Sequence, residues 1–169
     1  MNGIDKVLIC YGTLPNQKEC EISVAATMEE IFTNSLSKIS LLTKLSNLME
    51  KENRGKILVV SSVAGDRGRR SNYIYGSSIA MLNTFISGLR QRLDKSGISL
   101  ITIKPGYVDT PMTASFNKNI IWSDADFIGK KIASISEKNK PIVYLPSFWW
   151  AIMLFIKSIP ENLYKKLKL

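Results

Sequence analysis

Four short apolar runs, VLIC, KILVVS, ISLITI and IVYL, are separated along the chain by stretches long enough to be helices, and this alternation constrains the fold more than any single residue. A strand covered on both faces reads as a continuous apolar run, whereas a half-exposed strand alternates. Strands are therefore expected at Lys6 to Cys10, Lys56 to Ser61, Ile98 to Ile103 and Ile142 to Leu145. Helices are expected from Thr27 to Glu50, from Tyr73 to Lys95 with Gly97 as its closing residue, and from Asp124 to Lys138. Strands and helices in this order build a parallel sheet with right-handed crossovers.

Composition narrows the function classes. At 169 residues, with 45% hydrophobic and 22% charged content, the chain can bury a core and is not a disordered segment. It has no histidine, which excludes a Ser-His-Asp triad and a histidine metal site. Cys10 and Cys20 are too few for a disulfide framework and give no zinc site. No metal is expected, no nucleic-acid motif is present, and without a secretory signal the expected location is the cytoplasm. The net charge of +9 suits an anionic ligand or an anionic membrane surface as well as an ordinary solvated exterior. Arg67, Arg69 and Arg70 cluster in one expected loop, where substrate-facing and solvated arginines look alike.

That loop joins the two residues with the clearest chemical meaning. Ser62 ends an apolar strand and Tyr75 opens a helix thirteen positions later. Reducing a ketone by hydride leaves negative charge on oxygen, so a proton donor and a second hydrogen-bond donor are needed beside it. A phenol, with an ordinary pKa of about 10, serves as acid and base near neutrality when a positive charge favours its ionised form. A cation one helical turn on would supply this, and here that position is Ile79.

Residues 5 to 113 resemble the second half of a short-chain dehydrogenase/reductase. The resemblance implies that Asn34, Ser62 and Tyr75 occupy three positions of the family's catalytic tetrad, with Ile79 where its lysine belongs. KPGYVDTPM resembles the family's Pro-Gly turn, which implies cofactor contacts at Pro105, Gly106, Val108 and Thr110. The family's Asn-Asn-Ala-Gly signature is reduced to CYG, keeping Gly12, and its glycine-rich phosphate loop has no counterpart. The implied fold class is α/β, a partial Rossmann-like three-layer sandwich with a parallel sheet, lacking the N-terminal dinucleotide-binding strands. The implied cofactor is NADP or NAD, with binding by this chain alone in question. Without those strands VLIC becomes a sheet edge that calls for a partner, either a missing N-terminal segment or a second copy.

Residues 1–145 are expected to form this portion of the Rossmann domain, and residues 146–169 an apolar and basic tail. YLPSFWWAIMLFI is too short and too broken by Pro146 for a membrane span. Its aromatic residues, with Lys157, Lys165, Lys166 and Lys168, suit an anchor at the inner face of an anionic membrane, and equally a helix folded over the substrate mouth or against a second subunit. The tail also resembles, more narrowly, the ends of reductases acting on polyprenyl-phosphate sugars. Three functions remain open: a reductase of ketones and alcohols, a non-catalytic relic that dimerises through its two long helices, and a membrane-surface binding module.

Overall fold

The computed structural model describes residues 3–167, so Lys168 of the tail lies outside them. In chain order the elements are β1 (Lys6–Ile9), α1 (Gln17–Ile22), α2 (Val24–Ile31), α3 (Ser37–Glu52), β2 (Gly55–Val60), α4 (Tyr73–Leu93), β3 (Ile98–Pro105), β4 (Val108–Asp109), β5 (Ser123–Asp124), α5 (Ala125–Ile135), β6 (Ile142–Leu145), α6 (Trp149–Ser158) and α7 (Glu161–Tyr164). β1, β2, β3 and β6 form one parallel sheet in that order, and β4 pairs with β5 in a small parallel ladder beyond it.

Strand alternation sends side chains to two cores, which makes the molecule three-layered. Ile57, Val59 and Leu100 point to one face, where Leu42, Leu45 and Met49 of α3 and Leu82, Ile86 and Leu93 of α4 cover them. Leu58, Ile101 and Ile103 point to the other face, against Ile128 and Ile135 of α5. The α/β class with a parallel sheet is therefore present as the apolar runs imply. β1 lies at one edge and pairs with β2 alone, in register Lys6 with Lys56 through Ile9 with Val59.

The helix expected from Thr27 begins earlier and is interrupted. Asn16 caps α1 by accepting from the Lys18 amide, and Ser23, in extended conformation, ends α1 and caps α2 through the Ala26 amide. Between α2 and α3 the residues Phe32–Leu36 form a π turn, within which Asn34 and Ser35 are buried. Such turns insert a residue into the helical ladder and re-aim the side chains beside it. The helix expected from Asp124 starts one residue later, with the Asp124 carboxylate accepting from the Phe127 amide at 3.0 Å.

The segment after β6 folds back on the sheet. Trp149 and Met153 of α6 are buried with Val63, and Arg67 reaches across to donate to the carbonyls of Ile156 and Ile159 at 2.7 and 2.6 Å. Its guanidinium also lies over the Tyr164 ring, 3.6 Å from the centroid, and pairs with Glu161 at 2.9 Å. The opposite side of α6 presents Trp150, Leu154 and Phe155 to solvent.

Candidate functional site

The strands β1, β2 and β3 all end at one cavity of about 1090 Å³. A parallel sheet opens a crevice at its carboxyl edge, where loops diverge to helices on opposite faces. Here the loops are Cys10 to Gly12 after β1, Ser61 and Ser62 after β2, and Pro105 to Val108 after β3. Asn34, Tyr75 and Ile79 line the same cavity from the helices, and Thr110 lines it from the segment after β4. The residues that the family resemblance implies for the tetrad and the cofactor contacts, Gly12 and Ile79 included, thus all line one cavity.

Ser62 sits in extended backbone and accepts from the Ala64 amide at 3.1 Å, which fixes the first turn after β2. The Tyr75 phenol lines the cavity beside it, close enough for the Ser62 hydroxyl to act on its ionisation. Gly76 makes this approach feasible, because a Cβ there would stand 2.9 Å from the Ala64 carbonyl oxygen and hold α4 away from the Ser62 turn. Burial pushes the Tyr75 phenol above its ordinary value, while the Ser62 hydroxyl and the positive charge of Arg69 pull it back down. Ile79, 1% exposed, forms apolar wall. The cation acting on Tyr75 therefore comes from the loop, not from the next turn of its own helix.

The three loop arginines have different tasks. Arg67 clasps the C-terminal helices, Arg70 is exposed, and Arg69 lines the cavity with its Nη1 donating to the Tyr107 hydroxyl at 2.9 Å. Lys104, at the start of KPGYVDTPM, is paired with the buried Asp66, which also accepts from the Tyr144 hydroxyl at 2.6 Å. It is structural.

Asn34 is fully engaged. Its Oδ1 accepts from the Thr13 amide at 3.0 Å, and its Nδ2 donates to the Thr13 hydroxyl at 3.1 Å and to Glu30 at 3.2 Å. These bonds tie the π turn to the loop after β1 and bring Gly12 so close that a Cβ on it would lie 2.7 Å from Asn34 Oδ1. Thr110 and Thr113 close a capping box, and the Thr113 hydroxyl donates to the Val108 carbonyl at 2.7 Å, which holds that segment against the cavity. Gly106 leaves room for the Trp149 indole, since a Cβ there would fall 1.8 Å from its Nε1.

Two features lay outside the sequence reading. Lys38, one helical turn beyond Asn34 on the same face, is 2% exposed and lines the cavity. Burial holds its amine below the ordinary lysine value. The i, i+4 spacing from Asn34 was the available signal. The second is an aromatic wall: Tyr107 stacks on Trp122 at 5.1 Å between centroids, with Phe116 at 6.2 Å from Trp122. No local spacing announces it, because Tyr107 and Trp122 stand 15 positions apart and meet only through the fold of β4 and the loop that follows it.

Comparison with known proteins places this arrangement. A family model described as short chain dehydrogenase matches residues 1–121. An uncharacterized oxidoreductase of Mycobacterium tuberculosis is 29% identical over 164 residues, which cover 97% of this chain and 66% of the relative. Another, from Streptomyces coelicolor, is 26% identical over 167 residues, covering 97% of this chain and 65% of that protein. The chain thus spans about two thirds of the length of these relatives. Among solved structures, a short chain dehydrogenase from Burkholderia cenocepacia in complex with NADP superimposes with a TM-score of 0.84 at 18% identity, over 98% of this chain and 69% of that one. A short-chain dehydrogenase from Sphingobium yanoikuyae in complex with NADPH gives 0.75 at 15% identity, over 93% and 66%. These likenesses carry the fold, and the family match covers Gly12 and Ser62 at strand ends, Asn34 in the π turn and Tyr75 on α4: the chain belongs to the short chain dehydrogenase family.

Proposed function

We propose that this chain carries the proton-transfer residues and the nicotinamide end of the site of an NAD(P)-dependent oxidoreductase that interconverts ketones and alcohols. One observation carries the reading: Ser62 and Tyr75 line one cavity of about 1090 Å³ at the carboxyl edge of the parallel sheet, with the Ser62 hydroxyl close enough to act on the Tyr75 phenol. A substrate oxygen placed between them meets two donors. As charge develops on that oxygen, Tyr75 transfers its phenolic proton and Ser62 holds the oxygen in place. Arg69 stabilises the phenolate left behind. Asn34 acts through the loop it ties, by holding Gly12 at the cavity.

The residues present fit the nicotinamide end of a dinucleotide. Gly12 and Gly106 line the cavity without side chains of their own, and Pro105, Val108 and Thr110 line it from the segment after β3, held by the Thr110–Thr113 box. When bound, that group would supply or accept the hydride. The test is absorbance at 340 nm with NADPH or NADH and a panel of ketones, on the chain itself and fused to the first strands of a longer relative. Tyr75→Phe should lower the rate by a factor of ~100 to 10,000. Equal rates for the variant and its parent would sink the proposal, as would no turnover in any fusion that binds the dinucleotide.

The outer side of α6 favours a second, compatible role at an anionic membrane surface, since Trp150, Leu154 and Phe155 are exposed beside the basic C-terminal segment. Among the described residues no helix is long and apolar enough to cross a membrane. Sedimentation with phosphatidylglycerol vesicles tests this. Equal recovery with neutral vesicles, or none with either, excludes it.

A further inference from the structure

The cavity is charged in one sense. Lys18, Lys38 and Arg69 line it, and among its described lining residues there is no aspartate or glutamate. Cations elsewhere are commonly paired: Arg67 with Glu161, Arg92 with Glu50, Lys104 with Asp66 and Lys118 with Asp109. Neither Lys38 nor Arg69 has a carboxylate partner among the described residues. For Lys38 this is costly, because its side chain is almost wholly removed from water and a buried charge without a counter-ion is strongly disfavoured. Its Nζ lies 5.3 Å from the Tyr11 ring centroid and 3.4 Å from where a Cβ of Gly12 would be, at the mouth of the loop after β1. The cavity therefore holds a buried amine that meets the Tyr11 ring but no carboxylate among the described residues.

Arg69 stands at the other side, on the aromatic wall. It donates to the Tyr107 hydroxyl, its guanidinium is 5.9 Å from the Tyr107 ring, and its charge reaches Tyr75. With one Nη engaged, the planar group keeps further donors for a carboxylate or phosphate, which it binds in a fork. The Tyr107–Trp122 stack next to it offers a flat apolar surface. We propose that the cavity selects carbonyl compounds that carry an anionic group and an apolar or aromatic body, with Arg69 binding the anion and the Tyr107–Trp122 wall the body. Lys38, beside Gly12, adds to the attractive field from the far side. The identity of the reacting carbonyl rests on the oxidoreductase reading above, but the binding preference does not.

Trp122 reports on this site, so binding can be read without turnover. Phenylpyruvate and its neutral methyl ester are titrated into the chain, with tryptophan fluorescence as the signal and Trp122→Phe as the control for its origin. The acid should bind at least about tenfold more tightly than the ester, about 1.4 kcal/mol. Arg69→Leu should bring the acid down to the ester's affinity, and Arg69→Lys should retain part of the difference. Arg70→Leu, which changes the same net charge at an exposed position outside the cavity, should leave the preference intact. Equal affinities for acid and ester, no binding of either, or a preference that survives Arg69→Leu overturns the proposal. A preference without hydride transfer leaves it standing and removes the oxidoreductase reading, whereas turnover of the ester with no preference does the reverse.

Discussion

At the scale of single residues, chemistry at this site is governed by how three neighbours set one phenol. Burial raises the Tyr75 pKa, so the proton needed for ketone reduction is present throughout the neutral range. Alcohol oxidation needs the phenolate and should therefore climb with pH toward and beyond the ordinary tyrosine value of about 10. Arg69→Leu or Ser62→Ala removes an interaction that lowers the Tyr75 pKa, and each should move the oxidation limb to higher pH. An unmoved limb in pH–rate profiles would show that neither group acts on Tyr75. Ile79→Lys would add a charge at the cavity wall and should shift that limb the other way. A different logic applies to Lys104, whose pairing with buried Asp66 is structural. Lys104→Met should cost ~3 kcal/mol in denaturant unfolding, because it strands a buried carboxylate. Tyr144 belongs to the same cluster, and burial with the Asp66 charge pushes its phenol upward. The unfolded phenol ionises first, so this contribution to stability is complete below about pH 10 and is lost as pH rises above it. Tyr144→Phe should flatten that alkaline loss, and an unchanged alkaline profile would refute the assignment.

Secondary-structure elements add constraints that no residue supplies alone. The π turn at Phe32–Leu36 aims Asn34 and, one turn on, Lys38 toward the loop after β1, and α4 approaches Ser62 because Gly76 has no side chain. The C-terminal helix α6 is the clearest case of an element with two faces. Its inner side, Trp149 and Met153, packs on Val63 close to the cavity, and Arg67 holds its last turn. Gly106→Ala drives a methyl into the Trp149 ring and should displace α6, with a red-shifted tryptophan emission and a lowered melting temperature. Unaltered emission and melting would mean that the loop after β3 yields instead. Arg67→Leu should leave the sheet intact but expose the segment after Ser158 to limited proteolysis. Protection equal to that of the parent chain would show that apolar packing alone holds it.

For the whole molecule, the helical layer on one side of the sheet leaves several apolar side chains exposed. Met28, Phe32, Leu41 and Leu48 on α2 through α3, and Met81 on α4, lie on the surface of the layer that covers one side of the sheet. The family resemblance implies pairing through the two long helices, and exposed apolar side chains there are what such a pairing would bury. Leu41→Glu combined with Met81→Glu should convert a dimer to a monomer in light scattering, and a parent chain that is already monomeric at micromolar concentration would remove the premise. The four strands of the main sheet, its parallel order, its two buried faces and the long helices between its strands could be read from the chain, because apolar runs and strand ends are local signals. Asn34, Gly12 and the Pro105–Thr110 segment were legible through family resemblance, though not the bonds that bind Asn34 to Thr13 and Glu30. The early start of the first helical region was not, because a single capping serine both breaks and restarts it. What separates Arg67, Arg69 and Arg70, leaves Lys38 without a carboxylate among the described residues, and gathers Tyr107, Phe116 and Trp122 around one cavity is long-range packing. Side chains of equal charge and spacing acquire different roles according to which distant carbonyl, ring or cavity the folded chain brings to them, and only the tertiary structure decides that.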